Sequence, residues 1–155
     1  MTQNKIEIAL FQPDIAGNVG TIMRMCACLD VKLHIIEPCG FVFDMQKIRK
    51  SALDYIDHVQ LSRHKNFDSF YAQQVQKQQK RLVLLTTKAQ ENCYQFKFQK
   101  SDILLLGRES AGVPDEVFAQ SHEHIKIDMQ NNMRSLNVAI CAAMITGEAL
   151  RQTIS

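Results

Sequence analysis

The chain has 155 residues, the size of one soluble domain, which excludes a two-domain enzyme. Its hydrophobic share of 46% and charged share of 22% are the ordinary globular mix, so disorder, a collagen-like repeat and a coiled coil are excluded. With 18 Lys+Arg against 16 Asp+Glu the net charge is only +2, so a polyanionic partner has to be met by local clusters rather than by an overall field.

The first apolar segment is broken by Glu7, too short for the core of a signal peptide, and predicts a strand over 6–11. A helix follows over 18–29. Between Ala16 and Leu29 its one charge is Arg24, set among Ile22, Met23, Met25, Cys26 and Ala27. Such an arginine either snorkels to the surface or pairs with a carboxylate, or it is aimed at a phosphate or a reacting group. A strand over 32–37, a helix over 44–53 and a helix over 67–78 come next, the last ending in a Gln/Lys-rich stretch that reads as a solvated helix end.

The strand over 82–86 opens into Thr87-Lys88, and the strand over 103–106 empties into Gly107-Arg108-Glu109-Ser110-Ala111-Gly112-Val113-Pro114. The spacing of Gly107 and Gly112 matches the start of a P-loop, but Val113 and Pro114 stand where the phosphate-binding Lys and the Mg²⁺-binding Ser/Thr belong. No G-x-G-x-x-G follows a strand, which disfavours an ordinary dehydrogenase. The two glycines are read either as a tight turn with a helix entry or as backbone approaching a flat ligand. Pro114 suits the start of a helix over 114–121. His122 and His124, next to a strand over 125–127, lack a third ligand at metal spacing and are read as surface residues.

A loop from Asp128 to Arg134 leads to the last helix, over 135–151, for which Ser135 is the expected N-cap. Its centre, Val138 to Ile145, is uninterruptedly apolar, yet far shorter than the ~18 residues that read as a membrane span. A helix without a polar stripe has to be covered all round. One sheet covers one side, so a homodimer is expected to cover the other. The 5 cysteines, odd in number and without C-x-x-C spacing, read as reduced thiols of a cytoplasmic protein, with neither a disulfide framework nor a metal site. Strands alternating with helices give an α/β class: one domain over 1–155, a mainly parallel sheet with helices on both faces, and a ligand site in the loops at the strands' carboxyl ends.

Three segments then carry a specific resemblance: Asn18-Val19-Gly20 with Arg24, the run from Leu106 to Pro114, and Met133-Arg134-Ser135-Leu136-Asn137-Val138. In this order they resemble the three motifs of the SPOUT-class RNA 2′-O-methyltransferases. With Ile8 to Pro13, His34-Ile35-Ile36-Glu37-Pro38 and Leu53-Asp54-Tyr55, the chain is similar along nearly its whole length to the small group acting on the wobble cytidine or uridine of tRNA.

The resemblance implies a deep C-terminal trefoil knot that periodicity could not reveal, S-adenosylmethionine held in it, tRNA as substrate and a homodimer. Carried over by position, the cofactor would meet Leu85, Thr86, Gly107, Glu109, Gly112, Ile127, Met129, Ser135 and Leu136. The substrate would meet Asn18, Arg108 and Asn137, with Arg24 catalytic. The family assigns its motif-one arginine to activation of the ribose hydroxyl. Because arginine stays protonated, Arg24 is read as a clamp that orients a phosphate and stabilises the developing alkoxide. RNA phosphates would be met by Lys47, Arg49, Lys50, Arg63, His64, Lys65 and Arg108.

The chain departs from the family pattern at Arg108 and Asp128, where prolines are common, and at Gly147, where relatives can carry Tyr. Alternatives are methylation of another tRNA position or of ribosomal RNA, a knotted RNA-binding protein without catalysis, and a flavodoxin-like carrier.

Overall fold

The computed structural model describes residues 5–154; the side chains of Arg49, Ser51, Ala52, Leu53, Asp54 and Ile56 lie outside that description. In chain order the elements are β1 (Glu7–Phe11), α1 (Ala16–Leu29), β2 (Lys32–Ile36), α2 (Met45–Ala52) with a 3-10 turn (Leu53–His58), and β3 (Leu61–His64). They continue with α3 (Phe67–Phe70) running into a π turn (Tyr71–Gln76), β4 (Leu82–Leu85), β5 (Glu91–Asn92), β6 (Ile103–Leu106), α4 (Asp115–Gln120), β7 (Glu123–Lys126) and α5 (Val138–Thr153).

The strands form one sheet in the order β3-β2-β1-β6-β4-β7-β5, and its strand pairings are parallel. The α/β class expected from the alternation of elements is therefore the observed one. Side chains alternate across the pleat, and the sequence uses both faces. Ile8, Leu10, Leu104, Leu106 and Val83 pack with Val19, Ile22, Met23 and Cys26 of α1 and Ala142 and Ile145 of α5. Ala9, Phe11, Ile103, Leu105, Leu82 and Leu84 pack with Phe67, Phe70 and Val117 on the other side. Each fully buried Leu or Ile contributes about 1.5–3 kcal/mol relative to exposure, so a continuous apolar run in a central strand is what a doubly covered parallel sheet requires.

Two strands were not legible. β3, Leu-Ser-Arg-His, carries one apolar residue, and only its pairing with β2, Ile36 opposite His64, defines it. β5 has 2 residues, below any periodic signal. The predicted helix over 67–78 is α-helical only to Phe70 and then widens into the π turn.

β3 also buries a polar chain against the α3 face. His64, 6% exposed, and His34, fully buried, lie with Nε2 of His64 3.0 Å from Nδ1 of His34. Nε2 of His34 is 2.7 Å from Oε1 of Glu7, whose other oxygen accepts from Lys80. The neutral tautomers satisfy the row: His64 donates to His34, and His34 donates to Glu7. Burial opposes the charge on Glu7, but hydrogen bonds from His34 and Lys80 outweigh it and hold this carboxyl below its ordinary range. Burial, then the neighbouring His34, pushes His64 down to about 4. Burial also lowers His34 against the pull of Glu7. His64, expected at an RNA phosphate, is thus a core residue, because it closes this row.

A histidine with a depressed folded-state pKa gives stability that is complete above its unfolded pKa of ~6.5 and is lost as pH falls toward the folded value. Melting of the wild type is therefore expected to drop between pH 6.5 and 4.5, by on the order of 2 kcal/mol in stability from this row. The drop is expected to be smaller in His64→Gln, and identical pH profiles of Tm for the two proteins would refute the assignment.

Candidate active site

A cavity of about 570 Å³ opens at the carboxyl ends of β4, β6 and β7, beside the N-terminal ends of α1 and α5. Its size is that of a small-molecule site, and its place is where open parallel sheets bind ligands.

β6 leaves the sheet directly into its wall. The run 108–112 closes on itself: Arg108 N–H donates to Gly112 O at 3.1 Å, and Gly112 N–H donates back to Arg108 O at 2.9 Å. A Cβ on Gly107 would stand 2.7 Å from the Gly112 carbonyl carbon and 2.8 Å from its Cα. Gly112 has φ 64°, the left-handed region that favours glycine. Both glycines are thus required by the turn itself, and both also line the cavity.

The end of β4 supplies Leu85, the next residue is Thr86, and the chain after β7 supplies Ile127 and Met129. Thr86 N–H donates to Ile125 O at 2.9 Å, tying these two exits together. Leu85, Ile127, Met129 and Leu136 give the cavity apolar surface, while the 107–112 loop presents backbone. Ser135 and Leu136 lie on the segment that approaches α5. The N-cap of α5 is Asn137, not Ser135: its Oδ1 accepts from Ala139 N at 2.8 Å and Ile140 N at 3.3 Å, and the helix starts two residues later than Ser135 allows. A cap of this kind is worth about 1 kcal/mol over alanine. Ser135 is exposed and lines the cavity instead.

A row of polar groups runs from this cap along the cavity. Asn137 Nδ2 donates to Asn18 Oδ1 at 3.1 Å, and Asn18 Nδ2 donates to Glu109 Oε1 at 3.2 Å. Glu109 Oε2 accepts from the Asp14 backbone N–H at 3.1 Å, and the Ser110 hydroxyl donates to Asp14 Oδ2. Burial, then the adjacent Asp14 carboxylate, raises the pKa of Glu109. The contact with Glu109, then the Ser110 hydroxyl, lowers that of Asp14. The pair therefore takes a proton first at Glu109. Asp14 is the member that sequence reasoning missed; its signal was an acid just past the end of a buried strand, on the same edge as the glycine loop.

Asn18, Arg108 and Asn137 line the cavity together with the nine residues expected to meet the cofactor. Arg108 is half-buried, its guanidinium is 5.7 Å from the Phe11 ring centroid, and its Nε has no partner among the described residues. Arg24 does not line the cavity of the single chain. It follows Asn18 by 6 positions, or roughly 9 Å along the helix axis. It is exposed, with its guanidinium 4.8 Å from the Tyr55 ring centroid. Lys47, Lys50, Arg63 and Lys65 are exposed, and the Arg49 side chain lies outside the described residues. His122 and His124 hold structural roles: Leu82 N–H donates to His122 Nδ1 at 2.9 Å, and half-buried His124 stacks on Phe118 at 3.9 Å.

Residues 5–147 match the model of the SpoU rRNA methylase family. A tRNA (cytidine(34)-2′-O)-methyltransferase of Beijerinckia indica subsp. indica is 52% identical over 145 residues, which is 94% of this chain and 90% of the relative. A solved structure described as "Structural insights into the 2-OH methylation of C/U34 on tRNA" superposes with a TM-score of 0.90 at 34% identity, covering 96% of both chains. At 23% identity, and so for the fold alone, the SpoU methyltransferase AviRb from Streptomyces viridochromogenes with AdoMet superposes with a TM-score of 0.86, covering 96% of this chain and 60% of that one.

Proposed function

From the premise that the chain belongs to the SpoU rRNA methylase family, we propose that it is a tRNA 2′-O-methyltransferase acting on the pyrimidine at position 34, with S-adenosylmethionine as methyl donor. The observation that carries the substrate is the 52% identity, over 94% of the chain, to a relative named for that reaction.

The cavity fits the cofactor by its chemistry. It offers apolar side chains on one side, bare backbone at Gly107 and Gly112 on another, and a row of amides and carboxylates at its rim. Leu85, Ile127, Met129 and Leu136 would cover a flat purine, and the 107–112 backbone would approach the ribose and the amino-acid portion. Glu109 and Ser135 would complete the cofactor contacts. When bound, S-adenosylmethionine would supply an electrophilic sulfonium methyl for the ribose 2′-oxygen, with S-adenosylhomocysteine as the product and the hydroxyl proton passing to a nucleotide phosphate or water.

The chain's own residues have to align the hydroxyl and accommodate its proton, and alignment alone supplies much of the acceleration. Asn18 and Asn137, held to one another and to Glu109, fix the nucleotide. Arg108 and Arg24 meet phosphate, and Arg24 stabilises the alkoxide as it develops.

In this reading residues 1–155 are a single catalytic domain of a cytoplasmic enzyme. Among the described residues no helix is long and apolar enough to cross a membrane. A homodimer is supported by apolar residues that one chain leaves uncovered, Ile140 of α5 at 51% and Ile15 before α1 at 49% exposure, flanked on α5 by exposed Ala143 and Gly147. The knot is supported by the return of the chain after β7, through the cavity wall, to pack α5 against α1. Incubation with labelled S-adenosylmethionine and total tRNA, followed by mapping of the labelled nucleotide, is expected to place the label on the 2′-oxygen of nucleotide 34. Label at another tRNA position or in ribosomal RNA overturns the substrate, and no incorporation overturns the activity.

A further inference from the structure

Arg24 is held by an aromatic face without an acid among the described residues, as Arg108 is by Phe11. Its guanidinium carbon lies 4.8 Å from the centroid of the Tyr55 ring, and among the described residues it makes no ion pair and no hydrogen bond. Tyr55 is half-buried in the 3-10 turn Leu53–His58, which packs along α1. Other arginines of the chain are held by acids: Arg63 by Glu37 at 2.7 Å, Arg81 by Asp102 at 2.7 Å and Arg151 by Glu148 at 2.7 Å. Two of those three also lie over a phenylalanine ring, but an acid accepts from one N–H nitrogen of Arg63 and from two of Arg81.

The difference has chemical consequences. A carboxylate would use the donor fork of the guanidinium and cancel its charge, leaving little for an incoming phosphate. An aromatic face attracts the cation through its quadrupole without accepting a single N–H bond. Among the described residues nothing occupies the five donors of Arg24, while the side chain, which carries large rotamer freedom in solvent, is biased toward one position. No role for Tyr55 follows from the cavity, which it does not line.

We propose that Tyr55 is a positioning residue for catalysis: its ring holds the Arg24 guanidinium in place, uncancelled, for the RNA. The inference rests on the reading of Arg24 given under Proposed function.

The ring and the hydroxyl make separable predictions. Tyr55→Phe keeps the face and is expected to retain kcat/KM for tRNA within about twofold, whereas Tyr55→Leu, which removes the face, is expected to lose about 5- to 30-fold, the range of a partly exposed cation–π contact. The Kd for S-adenosylmethionine is expected to be unchanged in both. Since Tyr55→Leu could also fail by unfolding, the second series places phenylalanine with one, two or three ring fluorines at position 55. Fluorine withdraws electron density from the face with little change of size, so log kcat/KM is expected to fall stepwise while Tm stays level.

Equal losses in Tyr55→Phe and Tyr55→Leu, a flat fluorine series, or a wild-type rate in Tyr55→Leu would each overturn the inference. Arg24→Ala measured alongside separates the two readings. If Arg24→Ala loses methyl transfer while the position-55 variants do not, only the inference about Tyr55 fails. If Arg24→Ala turns over normally, it is the reading of Arg24 that fails.

Discussion

Arg24→Ala is expected to cut kcat/KM for tRNA methylation by on the order of 10²–10³-fold, the loss seen when a preorganised donor to a developing anion is removed. The Kd for S-adenosylmethionine is expected to stay within about twofold, because Arg24 lies outside the cavity. Its position also predicts fold integrity. The side chain is exposed and its described contact is the Tyr55 ring, so truncation leaves no buried group unpaired and is expected to move Tm little. If Arg24 meets a phosphate, the slope of log K for tRNA against log salt is expected to fall by about one contact. A wild-type turnover in this variant removes Arg24 from the mechanism, and a lost cofactor affinity would place it in the cavity instead.

Gly107→Ala is expected to have a comparable effect by a different route. The new Cβ would lie 2.7 and 2.8 Å from backbone atoms of Gly112, and neither side of the turn is a side chain that can swing away. The paired bonds between Arg108 and Gly112 have to open, carrying Glu109 and Ser110 away from Asp14 and Asn18. Overpacking of this kind costs about 1–3 kcal/mol in stability. A displacement near 1 Å in a positioning loop can cost on the order of 10²-fold in rate, and cofactor affinity is expected to fall by a similar factor. Gly112→Ala is the informative contrast: its Cβ meets open space but its φ is 64°, a strain of about 1–2 kcal/mol. Titration calorimetry with S-adenosylmethionine is expected to rank Gly107→Ala as the more damaging, and equal affinities for the two variants would show that the collision does not control the site.

The candidate site was legible in the sequence to the extent that it is made of backbone. The glycine loop follows a wholly apolar strand, and the segment from Met133 leads into the helix with the longest uninterrupted apolar run, so their places at strand and helix ends followed from patterning. What could not be read was which side chain performs which local task. Ser135 and Asn137 are both good N-cap types two residues apart, and only the observed turn makes Asn137 the cap. The bond from the Asp14 backbone N–H to Glu109 is what joins that acid to the site.

The same limit applied to the charged residues. His64 read as a basic surface residue because β3 carries too little apolar pattern to announce a strand. Pairing with β2 turns it inward, where His34 and Glu7 already wait for a partner.

The sequence by itself determined the class of fold and the edge on which the site lies. Continuous apolar runs over 8–11 and in Leu82–Leu85 and Ile103–Leu106 need cover on both faces, and alternation with helices gives a parallel sheet whose loops gather at one end. Tertiary structure decided what depends on contacts between distant segments. It made Asn137, Asn18, Glu109 and Asp14 one connected row across 119 and 91 positions of chain, and it turned Arg24 toward Tyr55 rather than into the cavity. Periodicity reports only which side of an element is buried. The partner of a polar side chain is set by the packing of elements that are remote in sequence, and no local pattern encodes it.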